Sequence, residues 1–217
     1  LTEYLTEQEQ IALLKSWLKR YGLTILTGIL LAIMISGGWR YWQYRHTKTL
    51  LHASAIYDEM LTARAQNNAN GALIQAEKLV HHYSSTPYAE MAALLLARDA
   101  VLKKNYPEAI HQFDWVMKHG HHRTTRQIAR LREARILIMQ KNPQAALTLL
   151  DKVGDNAFIG LIDEIKGDAY LALNDTVSAR KAYAKAMNEL PNAEVMRPIL
   201  QMKFENLASL EKTNQTL

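Results

Sequence analysis

The rhythm of apolar and polar positions changes once along this chain. From Gly22 to Gly38, "GLTILTGILLAIMISGG", seventeen consecutive residues carry no charge. At about 1.5 Å per residue they make roughly 25 Å of helix. That is a short span for a hydrocarbon layer of about 30 Å, lengthened at each end by Tyr21 and Trp39. Beyond Thr47 apolar residues recur every three or four positions, the mark of helices buried along one face. Asn, Gly and Pro interrupt that pattern at fairly even intervals. Ahead of the apolar run, Thr6-Glu7-Gln8-Glu9 reads as a capping box, and Ile11, Leu14, Leu18 and Tyr21 follow at helical spacing beside Trp17. This lead-in segment could lie on a membrane surface, dock on a neighbour or remain solvated; the pattern leaves all three open.

Directly after the run stands "GWRYWQYR". Trp39, Tyr41, Trp42 and Tyr44 suit a membrane interface, with ring bodies among acyl chains and polar tips among headgroups. Arg40 and Arg45 can reach phosphates on the same side, as Lys19 and Arg20 can on the other. A cleaved leader is a poor fit, because about twenty residues precede the run and Trp39-Arg40-Tyr41-Trp42 offers no small-x-small site. The expectation is an uncleaved single-span anchor. Lys15, Lys19 and Arg20 before it balance Arg40, Arg45 and Lys48 after it, so the charge rule gives no orientation. The chain divides as a tail over 1–20, a transmembrane helix over 21–42 and a helical domain over 43–217.

The helical domain carries a repeat. Gly167, Tyr170, Ala179, Tyr183, Ala186 and Pro191 fall at the offsets of the tetratricopeptide pattern: small, aromatic, Ala, aromatic, Ala, Pro. Small residues stand where two antiparallel helices touch, the tyrosines fill the space between units, and Pro191 stops the second helix. Earlier units are degenerate but in phase. Ala97, Ala109, Phe113 and Val116 surround the turn "KKNYPEA", and Ala134, Leu137, Ala146, Leu150 and Val153 surround "QKNPQAA". A weaker hairpin is expected over about 49–83, turning at "QNNANG", with its first helix continuous with the span. A last helix near 198–210, with Ile199, Leu200, Phe204 and Leu207 on one side, closes the stack. The predicted fold class is therefore all-α: one N-terminal transmembrane helix, then a tetratricopeptide-like solenoid of about four hairpins and a C-terminal capping helix.

Composition narrows the function. The net charge of +5 is too mild for nucleic-acid binding, and cysteine is absent, which removes thiolate metal sites and Cys nucleophiles. No His-Glu-x-x-His, phosphate-binding glycine loop or Gly-x-Ser-x-Gly occurs, so an enzyme is not expected. Histidines gather in "HHY" at 81–83 and "KHGHH" at 118–122, with His111 nearby. Such ligands could build a zinc site. With Gly120 at a turn and no acid evidently placed to orient the rings, an exposed polar turn is the expectation, with no cofactor.

"GWRYW" after a short span, degenerate tetratricopeptide hairpins and the closing "QMKFENLAS" together resemble the YfgM family, the ancillary subunits of the bacterial SecYEG translocon. The resemblance runs over essentially the whole chain. It implies a single-pass inner-membrane protein with a cytoplasmic tail and a periplasmic helical domain. It further implies partnership with SecYEG and with a periplasmic chaperone of the PpiD type. The family offers no catalytic motif to carry over.

The phase set by Gly167 also picks out an inner face from the first helix of each unit. It shows Met91, Leu94, Arg98 and Leu102, then Ile128, Leu131, Arg135 and Met139, then Leu161, Glu164, Asp168 and Leu171. Adaptable apolar residues with Met suit a helix or extended chain of variable sequence, including an emerging unfolded polypeptide. The expected function is a tethered protein-binding module on the lipid bilayer. An assembly factor for another envelope complex is the alternative.

Overall fold

Strong helix formers and regularly spaced breakers produce helices throughout the computed structural model, which describes residues 7–152, 158–189 and 196–214. In chain order they are α1 (Glu7–Ala65), α2 (Ala69–His82), α3 (Pro87–Leu102), α4 (Tyr106–His119), α5 (Arg123–Met139), α6 (Pro143–Leu150), α7 (Ile159–Ala172), α8 (Thr176–Glu189) and α9 (Met196–Asn214). No strand occurs among the described residues. Two compact units are present, Leu1–His52 and Ala53–Leu217.

In the second unit each helix from α2 onward packs on the next, and α5 additionally touches α7. Four hairpins result, the first opened by the last turns of α1, with α9 laid against α8. Pro191 and Val153, two of the expected repeat positions, lie outside the described residues.

The four hairpin turns share one construction. Asn67, Lys104, Lys141 and Asn174 each take a positive φ of 57–60°. The following residue, Asn68, Asn105, Asn142 or Asp175, donates its N–H five residues back, to the carbonyls of Ala63, Ala100, Leu137 and Tyr170 at 2.8–2.9 Å. That is a Schellman closure, which satisfies carbonyls left over at the helix end. The same Asn or Asp then turns its side-chain oxygen forward to cap the next helix, accepting from Gly71, Glu108, Ala145 or Ser178 N–H. Pro107 and Pro143 sit in the first turns that follow, where a missing N–H costs nothing. One three-residue punctuation thus ends one helix and begins the next.

The core follows the same periodicity. Ala53, Ile56 and Met60 of α1 pack with Ala76 and Leu79, with Ala93 and Ala97, and with Ala109, Phe113 and Val116. A second cluster joins Leu131, Ala134, Ala146, Leu150, Ile162 and Ile165, and a third joins Ala179, Tyr183, Ala186, Leu200 and Leu207. Helix α5 serves two layers at once, with Ala129 and Ile136 in the first cluster and Leu131 and Ala134 in the second. Alanine at so many crossings lets backbones approach closely.

Candidate functional site

The tightest crossing is that of α7 and α8. A methyl added at Gly167 would stand 2.4 Å from the Tyr183 ring, so only glycine fits beneath it. Tyr183 is completely buried, as are Ala179 and Ala186 on the same helix. Tyr170 is half-buried against the third cluster. The Tyr183 hydroxyl donates to Asp168 Oδ1 at 2.6 Å. Burial, and then that hydrogen bond, push the phenol well above its ordinary range.

Asp168 is one rung of a charge ladder crossing successive first helices. Lys203 of α9 donates to Asp168 Oδ1 and Oδ2 at 2.8 Å and to Glu164 Oε1 at 3.0 Å. Arg135 of α5 reaches Glu164 Oε2 at 3.3 Å from the other side. Burial alone would pull the Lys203 ammonium down, but the hydrogen bonds it donates to Asp168 and Glu164 outweigh it and hold its pKa above the ordinary value. Arg64 of α1 makes the equivalent bridge to Asp99 of α3, a two-pronged pair that raises the guanidinium pKa. Ion pairs thus tie α1 to α3 and, separately, link α5, α7 and α9.

The twelve residues of the expected inner face divide by repeat position. Leu131 is only 5% exposed and lies in the second cluster, and Glu164 is 4% exposed beneath Arg135 and Lys203. Leu94, in the same repeat position, is half-buried. Leu131 and Glu164 face the neighbouring layer, so the expectation that they line an open groove is corrected, while Leu94 is partly covered by the first cluster. Solvent meets Met91, Arg98, Leu102, Arg135 and Met139, with Asp168 half-exposed and Leu171 marginally so. Arg98 makes no ion pair among the described residues.

Two buried acids were not legible from spacing. Glu90 of α3 is 1% exposed and accepts the His121 backbone N–H at 2.5 Å. Its oxygens also stand 3.6 and 3.5 Å from the His121 and His122 Nδ1 atoms. The turn is exposed at its rings, as expected, yet an acid does hold it, a correction to the reading of the sequence. Among the described residues no group of three or more His, Cys, Asp and Glu side chains is arranged to bind a metal. Glu133 of α5 is 6% exposed, and its Oε2 has no hydrogen-bond partner among the described residues. Burial first, and the nearby Asp114 second, raise its carboxyl to about 7 against the opposing pull of Arg130.

In the first unit, every apolar side chain of the charge-free run that is large enough to matter is exposed, from Leu23 to Ile35. Water does not tolerate a helix apolar on all sides, so a bilayer is its natural solvent. The hydroxyls of Thr27 and Ser36 donate back to the Thr24 and Ile33 carbonyls at 2.9 and 3.1 Å, a satisfaction needing no water. Trp39, Arg40, Tyr41, Trp42 and Tyr44 are all exposed. Trp39 packs on Trp42 with ring centroids 5.5 Å apart, and Trp42 stacks on His46 at 5.4 Å. Over the described residues, one helix is long and apolar enough to cross a membrane.

Against known proteins, the model of the tetratricopeptide repeat-like domain matches residues 15–209. The chain belongs to that family. This tetratricopeptide repeat-like chain is 26% identical over 201 residues to the ancillary SecYEG translocon subunit of Haemophilus influenzae, covering 93% of this chain and 97% of the relative. It is 29% identical over 209 residues to the subunit of that name from Neisseria gonorrhoeae, covering 95% and 100%. For Escherichia coli the figures are 25% over 205 residues, covering 94% and 98%. Among solved structures, MamA from Desulfovibrio magneticus shares the tetratricopeptide repeat-like fold with a TM-score of 0.53 at 17% identity, over 74% of this chain and 96% of that one.

Proposed function

We propose that this chain is an ancillary subunit of the SecYEG translocon, a membrane-tethered module whose work is contact. The observation that carries this is the end-to-end alignment with relatives of that name, span included, at 93–95% of this chain and 97–100% of theirs. A free repeat domain would align over its hairpins alone. The tail lies in the cytoplasm and the hairpins in the periplasm, beside a chaperone of the PpiD type and emerging polypeptides. Tethering confines the module to a plane and raises its effective concentration at the pore without a tight contact. The partner surface is the exposed part of the inner face: Met91, Arg98, Arg135, Met139 and the edge of Asp168. Arg98, exposed and without an ion pair among the described residues, is its cation for a partner carboxylate or carbonyl.

A photocrosslinking amino acid in place of Trp42, irradiated in intact membranes, tests the assignment. Products containing translocon subunits are the expected result. Products with another envelope complex, and none with the translocon, would overturn it. The surface is tested separately by Met91→Glu with Met139→Glu, both at exposed positions. Loss of chaperone and client recovery, with the translocon products retained, is expected; full recovery would remove this face as the docking surface.

A further inference from the structure

Residues 10–57 contain no aspartate or glutamate, although acids are common elsewhere in the chain. Within that stretch the helix emerging from the apolar run sorts its side chains by face. At about 100° per residue, Arg40, Tyr41, Tyr44, Arg45 and Lys48 fall within roughly 140° of one another. Trp39, Trp42 and His46 occupy a separate sector. Arg45 Cζ lies 5.5 Å from the Tyr41 ring centroid and Lys48 Nζ lies 4.6 Å from that of Tyr44. None of the three cations meets a carboxylate among the described residues.

The direction of these contacts matters. Side chains on a helix lean towards its N-terminus, which here is the side of the apolar run. Arg45 and Lys48 are therefore drawn back by one turn, to the levels of Tyr41 and Tyr44. With Arg40 their charges sit roughly 3, 5 and 9 Å past Gly38, against a headgroup layer of about 5–8 Å on each side of the bilayer. At the other end the same lean carries Lys19 and Arg20 away from the run. The two ends hold similar numbers of cations but aim them differently.

The geometry points to a binding site for the phosphates of anionic phospholipids on the Arg40–Lys48 face of α1. This rests on the reading of α1 as a membrane span. Two tyrosine faces hold Arg45 and Lys48 back towards headgroup depth, the tyrosine hydroxyls stand ready to donate to phosphate oxygens, and no acid among the described residues pairs with these cations. The tryptophan–histidine sector faces the interface as a stack of flat rings. The site selects headgroups by net negative charge, so zwitterionic phosphatidylcholine is a poor occupant.

The test uses the full chain reconstituted into phosphatidylcholine vesicles carrying a trace of spin-labelled phosphatidylglycerol or spin-labelled phosphatidylcholine. Electron spin resonance reads the fraction of each label immobilised at the protein. Phosphatidylglycerol is expected to associate about fivefold more strongly at low salt, the effect of roughly one fully engaged cation. The preference is expected to fall towards unity in Arg40→Gln/Arg45→Gln/Lys48→Gln and to persist in Lys19→Gln/Arg20→Gln. Equal association of the two labels, in a chain that floats with the vesicles, overturns the phosphate site and leaves the anchor standing. Selectivity lost only in the Lys19/Arg20 variant overturns the assignment to this face. A chain that stays in the aqueous fraction overturns both.

Discussion

Glu133 makes the stability of the hairpin stack depend on pH in an unusual direction. Its folded-state pKa of about 7 stands above the ordinary 4.5. Between those values the folded chain keeps a proton that the unfolded chain has released. Stability attributable to this residue is therefore full below about pH 4.5, falls through the window, and reaches its minimum above about pH 7. A gap of about 2.5 units is worth about 3 kcal/mol, at 1.36 kcal/mol per unit. Glu133→Gln keeps the shape and removes the titration. For a unit of this size about 3 kcal/mol moves the melting temperature by roughly 6–12 °C. Thermal unfolding of the full chain in detergent, followed by circular dichroism at 222 nm from pH 5 to 8, reads it. Taking the difference between variant and wild type cancels the titrating groups that do not interact with Glu133, leaving its coupling to Asp114 and Arg130. The variant should melt close to wild type at pH 5 and well above it at pH 8. Parallel curves across that range would show that the carboxylate is solvated or partnered when ionised, and the reasoning would fail.

Gly167→Ala drives a methyl into the Tyr183 ring. Overpacking of about 1–3 kcal/mol outweighs the roughly 1 kcal/mol gained in helix propensity, so denaturant unfolding should show a net loss. Neighbouring turn positions should respond with opposite signs. Lys104→Gly relieves a left-handed backbone and gains about 0.5 kcal/mol, whereas Asn105→Ala removes a cap and loses about 1 kcal/mol. Equal signs in chemical denaturation would refute the turn assignment. Lys203→Met strips Glu164 and Asp168 of their shared cation and should cost about 3 kcal/mol, read as faster hydrogen exchange in α9 and α7. In the wild type the raised Lys203 pKa keeps this contribution intact below about pH 10.5 and loses it as pH climbs through the higher folded value.

Local chemistry carried most of the fold into view. Asn105 and Asn142, with proline two residues and one residue later, mark helix starts whose side chains and backbone act within three residues, and such signals survive without knowledge of the tertiary structure. The apolar run is equally local. What spacing could not separate was the two sides of a first helix when both are apolar. Leu131 and Met139 share one helix and one expected face, yet Leu131 meets α6 and α7 while Met139 meets water. Periodicity registers that a residue is apolar, not which neighbour arrives to cover it. Glu164 stands on the same expected face, yet it is buried beneath cations that come from α5 and α9. Glu90 holds a turn 31 residues away in sequence, through a contact that only the packed layers create.

The Asn and Asp punctuation has a bearing on how the chain acquires its shape. Each hairpin is closed by bonds spanning no more than six residues, so closing it waits for nothing distant. A polypeptide delivered residue by residue can bend at Asn67, then at Lys104, then at Lys141 and Asn174, adding one pair of helices as each bend clears its exit. The ionic rungs and the core clusters shared between hairpins need the following pair to arrive. Bending can thus keep pace with synthesis, and each new pair then covers the apolar face of the one before it.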